Sequence, residues 1–332
     1  MEERRNLLPH YLIRATLLGC FSLYIVHLVK ADKLQYYIVP RMIPYVKYGA
    51  MALFLLAGFY LFIAVQRGGS GAEEDCDCGH EPPRSILRNG MIYGLFAIPL
   101  LLGFMLPDRI MGSEVVAVKG MNLNVATVTQ RPSIPVQPVD AIEPVTTSEP
   151  LGEMPNNNLD TTASDPKDVV EAQPSAHDEL DKLFPADEFS IDYAELGKKL
   201  YKRDVIPIKT VGFLEMLTML DLFKENFIGK EIVISGFVYR ENDMKKDQFV
   251  VSRMAMQCCS ADAMPYGFLV KSANGATLKK DTWITMTGKL STVNYRGNDI
   301  IQLEAKKITV IKAPNDPYVY PYYDDFDELA KE

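Results

Sequence analysis

Ala50-Met51-Ala52-Leu53-Phe54-Leu55-Leu56-Ala57-Gly58-Phe59-Tyr60-Leu61-Phe62-Ile63-Ala64-Val65 decides the class of this chain. No charge interrupts it. With the flanking residues from about Ile43 it reaches the roughly 20 apolar residues that a helix needs to cross a hydrocarbon core. Gln66-Arg67-Gly68-Gly69 stops it. Upstream, Tyr11 to Val29 carries Leu12, Ile13, Leu17, Leu18, Phe21, Leu23, Ile25, Val26 and Leu28 over a similar length. Downstream, Gly90 to Leu106 is apolar apart from Pro99, which membrane helices tolerate when neighbours satisfy the freed carbonyl. Pro107-Asp108-Arg109 ends that run. The reading is a membrane-anchored chain with transmembrane helices at about 11–29, 43–65 and 90–106, within a region that extends to residue 110. After Val29 the sequence continues Lys30-Ala31-Asp32-Lys33 without a small-x-small cleavage site, so the first run reads as a retained span and not a signal peptide.

Three spans place the chain ends on opposite sides of the bilayer. Arg4, Arg5, Arg67, Arg84 and Arg88 on one side nearly balance Lys30, Lys33, Arg41, Lys47 and Arg109 on the other, so the positive-inside rule does not choose between orientations. The expectation is a multi-pass protein of the cell membrane with its C-terminal domain extracytoplasmic. The stretch after residue 120 looks like the tether of an exported domain, and long domains translocate regardless of charge.

The 48% apolar content of the 332 residues is therefore concentrated before residue 108. Residues 111–184 are rich in Pro, Thr, Ser, Asn, Asp and Glu and read as a mostly disordered linker. Only Val115-Val116-Ala117-Val118 and the stretch from Asn122 to Val128 have strand character. A soluble domain is expected over 185–320, with an acidic tail over 321–332. Helical periodicity covers 191–201 and 212–226, the second with Leu214, Leu217, Leu220 and Phe223 at three-residue spacing and Gly229 as a stop. Strands are expected at 231–240, 248–257, 267–271, 282–290 and 300–311, divided by Asn242-Asp243, Asn274-Gly275 and Arg296-Gly297-Asn298-Asp299. Five short strands after a helical lead-in suggest an α+β domain with a small OB-like β-barrel, an architecture that does not fix a ligand. Nucleic acid is excluded as a partner by the net charge of −8 and by the run Asp324-Asp325-Phe326-Asp327-Glu328, which would repel phosphates.

Chemistry concentrates in Arg253-Met254-Ala255-Met256-Gln257-Cys258-Cys259-Ser260-Ala261-Asp262-Ala263. Adjacent cysteines are too close for an ordinary unstrained disulfide with each other. On a strand, alternation would put Cys258 with Met254 and Met256 on one face and Cys259 on the other. A shared metal site over Cys258, Cys259 and Asp262 then requires the strand to end near Cys258 and turn at Ser260-Ala261-Asp262, with Asp262 as third ligand or as an orienting group. Two other readings stay open: Met254, Met256 and one cysteine filling the core, or a thiol redox enzyme or sensor. The last lacks a C-x-x-C and a nearby histidine.

A second ligand cluster, Cys76, Cys78 and His80, lies in the polar loop between the second and third spans. In an extended backbone these three share an edge, and thiolates with imidazole suit zinc or copper. The C-x-C-x-H spacing with three ligands argues against a closed structural zinc site, and an acidic loop with incidental thiols competes with it. No Ser-His-Asp set, phosphate-cradling loop or H-E-x-x-H occurs, so no enzyme activity is expected. Cys20 and His27, inside the first span, read as a packing and an interfacial residue.

Phe227-Ile228-Gly229-Lys230-Glu231-Ile232-Val233-Ile234-Ser235-Gly236-Phe237-Val238-Tyr239-Arg240, Arg253 through Asp262-Ala263, Asp281-Thr282-Trp283 and Pro317-Tyr318-Val319-Tyr320 follow one another in order behind the spans. In this combination the chain resembles the YcgQ-type family of two-component membrane permease subunits, most strongly over residues 210 to 320. The resemblance implies an accessory subunit of an ATP-independent complex, partnered in the bilayer by a multi-pass permease subunit. Three helices alone do not enclose a transport pathway. A membrane-tethered metallochaperone and a purely structural tether are the other readings.

Overall fold

The computed structural model describes residues 2–69, 86–124 and 176–331. Three helices, α1 (Glu2–Lys30), α2 (Ile43–Gly69) and α3 (Ile86–Met105), contain stretches long and apolar enough to cross a membrane. Helix α1 starts well before the expected residue 11, because its polar N-terminal turns continue the same helix.

Helices α1 and α2 pack antiparallel. Small side chains recur every seven residues along α2, at Ala50, Ala57 and Ala64, and all three are buried. That spacing keeps them on one helix face and lets the backbones approach, and the Ser22 Oγ donates to the Ala50 carbonyl at 2.8 Å. Helix α3 runs parallel to α1, with the Tyr93 hydroxyl 2.9 Å from His10 Nδ1 near one end and Tyr24 donating to the Gly103 carbonyl near the other. The outer faces stay uncovered: Phe54, Leu55, Leu95 and Leu101 are all exposed.

At the end where α1 finishes and α2 begins lies the C-terminal domain. Helix α4 (Ser113–Lys119) leads toward it from α3. The expected strand character of 115–118 is thus wrong: the four-residue Val/Ala run is helical, with Val116 fully buried. Helices α5 (Ala176–Leu183), α6 (Ile191–Tyr201), α7 (Phe213–Leu222) and α8 (Lys224–Phe227) accompany the sheet. Its strands are β1 (Val205–Pro207), β2 (Glu231–Tyr239), β3 (Gln248–Ala255), β4 (Met264–Lys271), β5 (Trp283–Tyr295), β6 (Asn298–Val310) and β7 (Tyr318–Val319). They form one sheet in the order β1-β2-β5-β6-β4-β3-β7, and β2 also pairs with β3. The β5–β6 hairpin turns at Arg296 and Gly297, both at positive φ, which matches the right-handed twist of the flanking strands. Gly236 and Gly267 let β3 come close, since a Cβ on either would fall 2.4 Å or less from a β3 carbonyl oxygen.

Two cores hold the domain. One lies between the sheet and α6 and α7. The other joins Met254, Met256, Leu269, Trp283 and Tyr318 to Val39, from the α1–α2 connection, and Val116 of α4. Val39 and Val116, two buried side chains of this second core, come from outside 185–320. Of the expected linker, residues 113–119 are helix and Asn122 bridges Tyr266, while 125–175 lie outside the described residues. Within 321–331, side chains pack back onto the domain. Leu329 is buried, Phe326 packs edge-on against Tyr193, and Glu215 Oε1 accepts from the Tyr322 amide at 2.9 Å.

Candidate metal site on the Cys258 loop

Strand β3 ends at Ala255, two residues before the expected 257, so alternation no longer separates the thiols. Met254 and Met256 turn into the second core. Arg253 is buried as well, donating to the carbonyls of Pro317 and Tyr318 at 3.1 and 3.2 Å, and so holds β7 rather than a ligand. The reading in which one cysteine completes that core fails, because Cys258 is exposed and Cys259 only half-buried.

Beyond Met256 the chain wraps around one carboxylate. Asp262 Oδ1 accepts the Gln257 amide at 2.8 Å, and Oδ2 accepts those of Cys258 and Cys259 at 2.7 and 3.1 Å. This clamp sets both thiols on one side of the turn, with the sulfurs 3.6 Å apart. The two Sγ atoms and an Asp262 oxygen lie within 4.8 Å of one another. With zinc–sulfur bonds of about 2.3 Å, two thiolates on one tetrahedral ion stand roughly 3.7–3.8 Å apart, so the sulfurs fit such an ion almost without movement.

The electrostatics follow from the same contacts. Burial pushes the Asp262 carboxyl up, but hydrogen bonds from the Cys258 thiol and the three amides outweigh it and hold the group below its ordinary range. The Cys258 thiol, facing the Asp262 carboxylate and the Cys259 thiol, is pushed up to about 12. The thiolate is both the nucleophile and the metal ligand, so an ion binding here must displace the Cys258 proton.

The loop is fastened from behind by elements far away in sequence. Ile38 and Cys259 form an antiparallel bridge, with Val39 N–H donating to the Cys258 carbonyl at 3.2 Å and Ser260 N–H to the Tyr37 carbonyl at 2.8 Å. Arg41 Nη2 reaches the Gln257 carbonyl at 3.2 Å. Lys119 Nζ spans the carbonyls of Ala261 and Ala263 at 2.8 and 2.7 Å. None of these partners was a site residue in the sequence reading, and only the connected fold brings them here. Cys76, Cys78 and His80 lie outside the described residues.

Residues 13–122 match the DUF1980 N-terminal domain and residues 183–321 the DUF1980 C-terminal domain. The chain is 30% identical over 140 residues to UPF0703 protein YcgQ of Bacillus subtilis (strain 168), a match covering 41% of this chain and 49% of that protein. It is also 30% identical over 127 residues to a Streptococcus mutans serotype c protein named "Putative two-component membrane permease complex subunit", covering 37% and 45% respectively. The chain thus spans about half the length of the curated relatives it matches.

Proposed function

We propose that this chain, which belongs to the YcgQ-type family built from the two DUF1980 domains, is a membrane-anchored accessory subunit of a two-component permease complex, and that its C-terminal domain binds a metal ion at Cys258 and Cys259. The observation that carries the metal reading is the pair of sulfurs 3.6 Å apart on a loop fixed by Asp262. Zinc and copper(I) match such donors in softness. Asp262 is assigned first to holding the loop and second to ligation, because its oxygens already take three amides.

The permease role draws support from the name of the Streptococcus mutans relative and from the exposed apolar faces of α2 and α3, which a multi-pass partner in the bilayer would cover. We read the sheet as an OB-like barrel on the strength of the β2–β3 pairing, which links its two flanks, and of the parallel β4–β6 pairing. The three helices are assigned as a multi-pass anchor with the domain on the extracytoplasmic side. Operation without ATP agrees with the lack of a phosphate-cradling loop in the sequence, and no catalytic step is assigned. Cys76, Cys78 and His80 are assigned as a second, weaker metal site.

Purification of the tagged chain from native membranes in mild detergent tests the subunit role. A multi-pass membrane protein retained at fixed stoichiometry supports it. Recovery of the chain alone after in-membrane cross-linking contradicts it.

A further inference from the structure

Resting on the metal reading above, we propose that the Cys258 loop is an open transfer site: it holds Zn²⁺ or Cu⁺ as cargo through two thiolates and leaves coordination positions for donors supplied by a partner. A closed structural zinc site uses four protein ligands, whereas a site with fewer leaves a position open to water or an incoming donor. Among the described residues the group consists of Cys258, Cys259 and Asp262. Asp262 is largely consumed: Oδ2 accepts two amides and Oδ1 a third. A carboxylate offers about four lone-pair sites, so at most one is left for an ion. The described residues therefore supply two strong ligands and no more than one weak one.

Among the described residues no third thiolate completes the set. Cys20 lies within α1, and Cys76 and Cys78 lie outside the described residues. Access is one-sided. Lys119, the Tyr37–Val39 backbone and the Asp262 clamp close the rear of the loop, and the exposed Cys258 faces outward. An approaching donor pair would meet the ion from that face and could take it by stepwise ligand replacement, each thiolate regaining a proton as it leaves. No change in oxidation state is involved. The loop also sits where the α1–α2 connection meets the domain, beside the helices, which places such cargo next to whatever partner covers them.

X-ray absorption on the full-length chain in detergent, loaded with one equivalent of Zn²⁺, tests the coordination, and transfer of the ion to a chromophoric chelator tests exchange. The expected result is one ion per chain, two sulfur ligands with the remainder oxygen or nitrogen, and transfer complete within seconds. Cys258→Ala, at an exposed position, should leave the melting temperature of the metal-free chain in place while removing one sulfur and at least about tenfold in affinity, in line with the sensitivity of metal sites to their supporting groups. Four sulfur ligands with one ion shared by two chains, or transfer taking hours, overturns the open site and leaves the metal reading intact. No bound Zn²⁺ or Cu⁺ overturns both.

Discussion

Ile38 and Cys259 pair across an antiparallel bridge that ties the α1–α2 connection to the loop carrying both thiols. One residue to either side, the Val39 and Ser260 amides complete the seam. The candidate site and the attachment of the domain to its helices are therefore the same piece of backbone. Any ligand that stiffens the loop stiffens the seam, because an ion that binds only the ordered loop stabilises it by mass action.

Hydrogen exchange should report this directly. Zn²⁺ is expected to slow exchange of the Val39 and Ser260 amides in the wild-type chain and to have no effect in Cys258→Ser/Cys259→Ser. Equal exchange with and without the ion in the wild type would separate the thiols from the seam.

Removal of the Asp262 clamp leaves three amides without an acceptor, and each unsatisfied donor costs about 1–3 kcal/mol if it stays buried. Half-exposure of this loop lets water recover part of that. Asp262→Ala should lower the thermal midpoint by a few degrees and weaken Zn²⁺ binding by roughly 10–100-fold, as for supporting groups at other metal sites. Asp262→Asn, which keeps one carbonyl oxygen, should fall between it and wild type. An unchanged affinity in Asp262→Ala would remove the carboxylate from the site.

Val39 and Val116 contribute to the second core from outside the C-terminal segment. Truncation of either to Ala should cost about 1–3 kcal/mol, the range for small deletions in well-packed cores, measured by thermal or denaturant unfolding. A fragment starting at residue 176 should be less stable than one starting at 111, which retains α4.

Asp108 accepts from Lys33 at 2.8 Å and from the Tyr37 hydroxyl, which ties the end of α3 to the α1–α2 connection. The Lys33 and Tyr37 hydrogen bonds hold its carboxyl below the ordinary value against the opposing effect of burial. The folded state therefore takes up this proton less readily than the unfolded chain. The stabilisation is present above the ordinary carboxylate pKa of about 4 and fades as the pH falls through the lower folded value. Asp108→Asn should melt below wild type at neutral pH, with the gap closing below about pH 4. A gap independent of pH would assign the effect to packing instead.

The three long apolar helices were legible because length and apolarity alone define them, and β2, β3, β5 and β6 because turn residues bracket them. Strands β1 and β7 were missed: two or three residues carry no period, and both are held by partners distant in sequence. The valine-rich Val115–Val118 run misled toward a strand, where the burial of Val116 against the second core favours helix α4. Cys258, Cys259 and Asp262 were readable as a group. Strict alternation hid their convergence, which depends on β3 stopping at Ala255. The short spacing between the cysteines and Asp262, an acceptor three residues beyond a pair of amides, was the local signal for the clamp. Lys119, Tyr37 and Val39 had no such signal, since only the folded helices bring them to the loop.

The most direct measurement is the metal-to-chain ratio of the full-length protein isolated from membranes and dialysed against Zn²⁺ or Cu⁺, beside the same preparation of Cys258→Ser/Cys259→Ser. Close to one tightly bound ion per wild-type chain, lost from the double variant while the two metal-free proteins melt at the same temperature, is the predicted result. Equal metal in both proteins, or none in either, would contradict it.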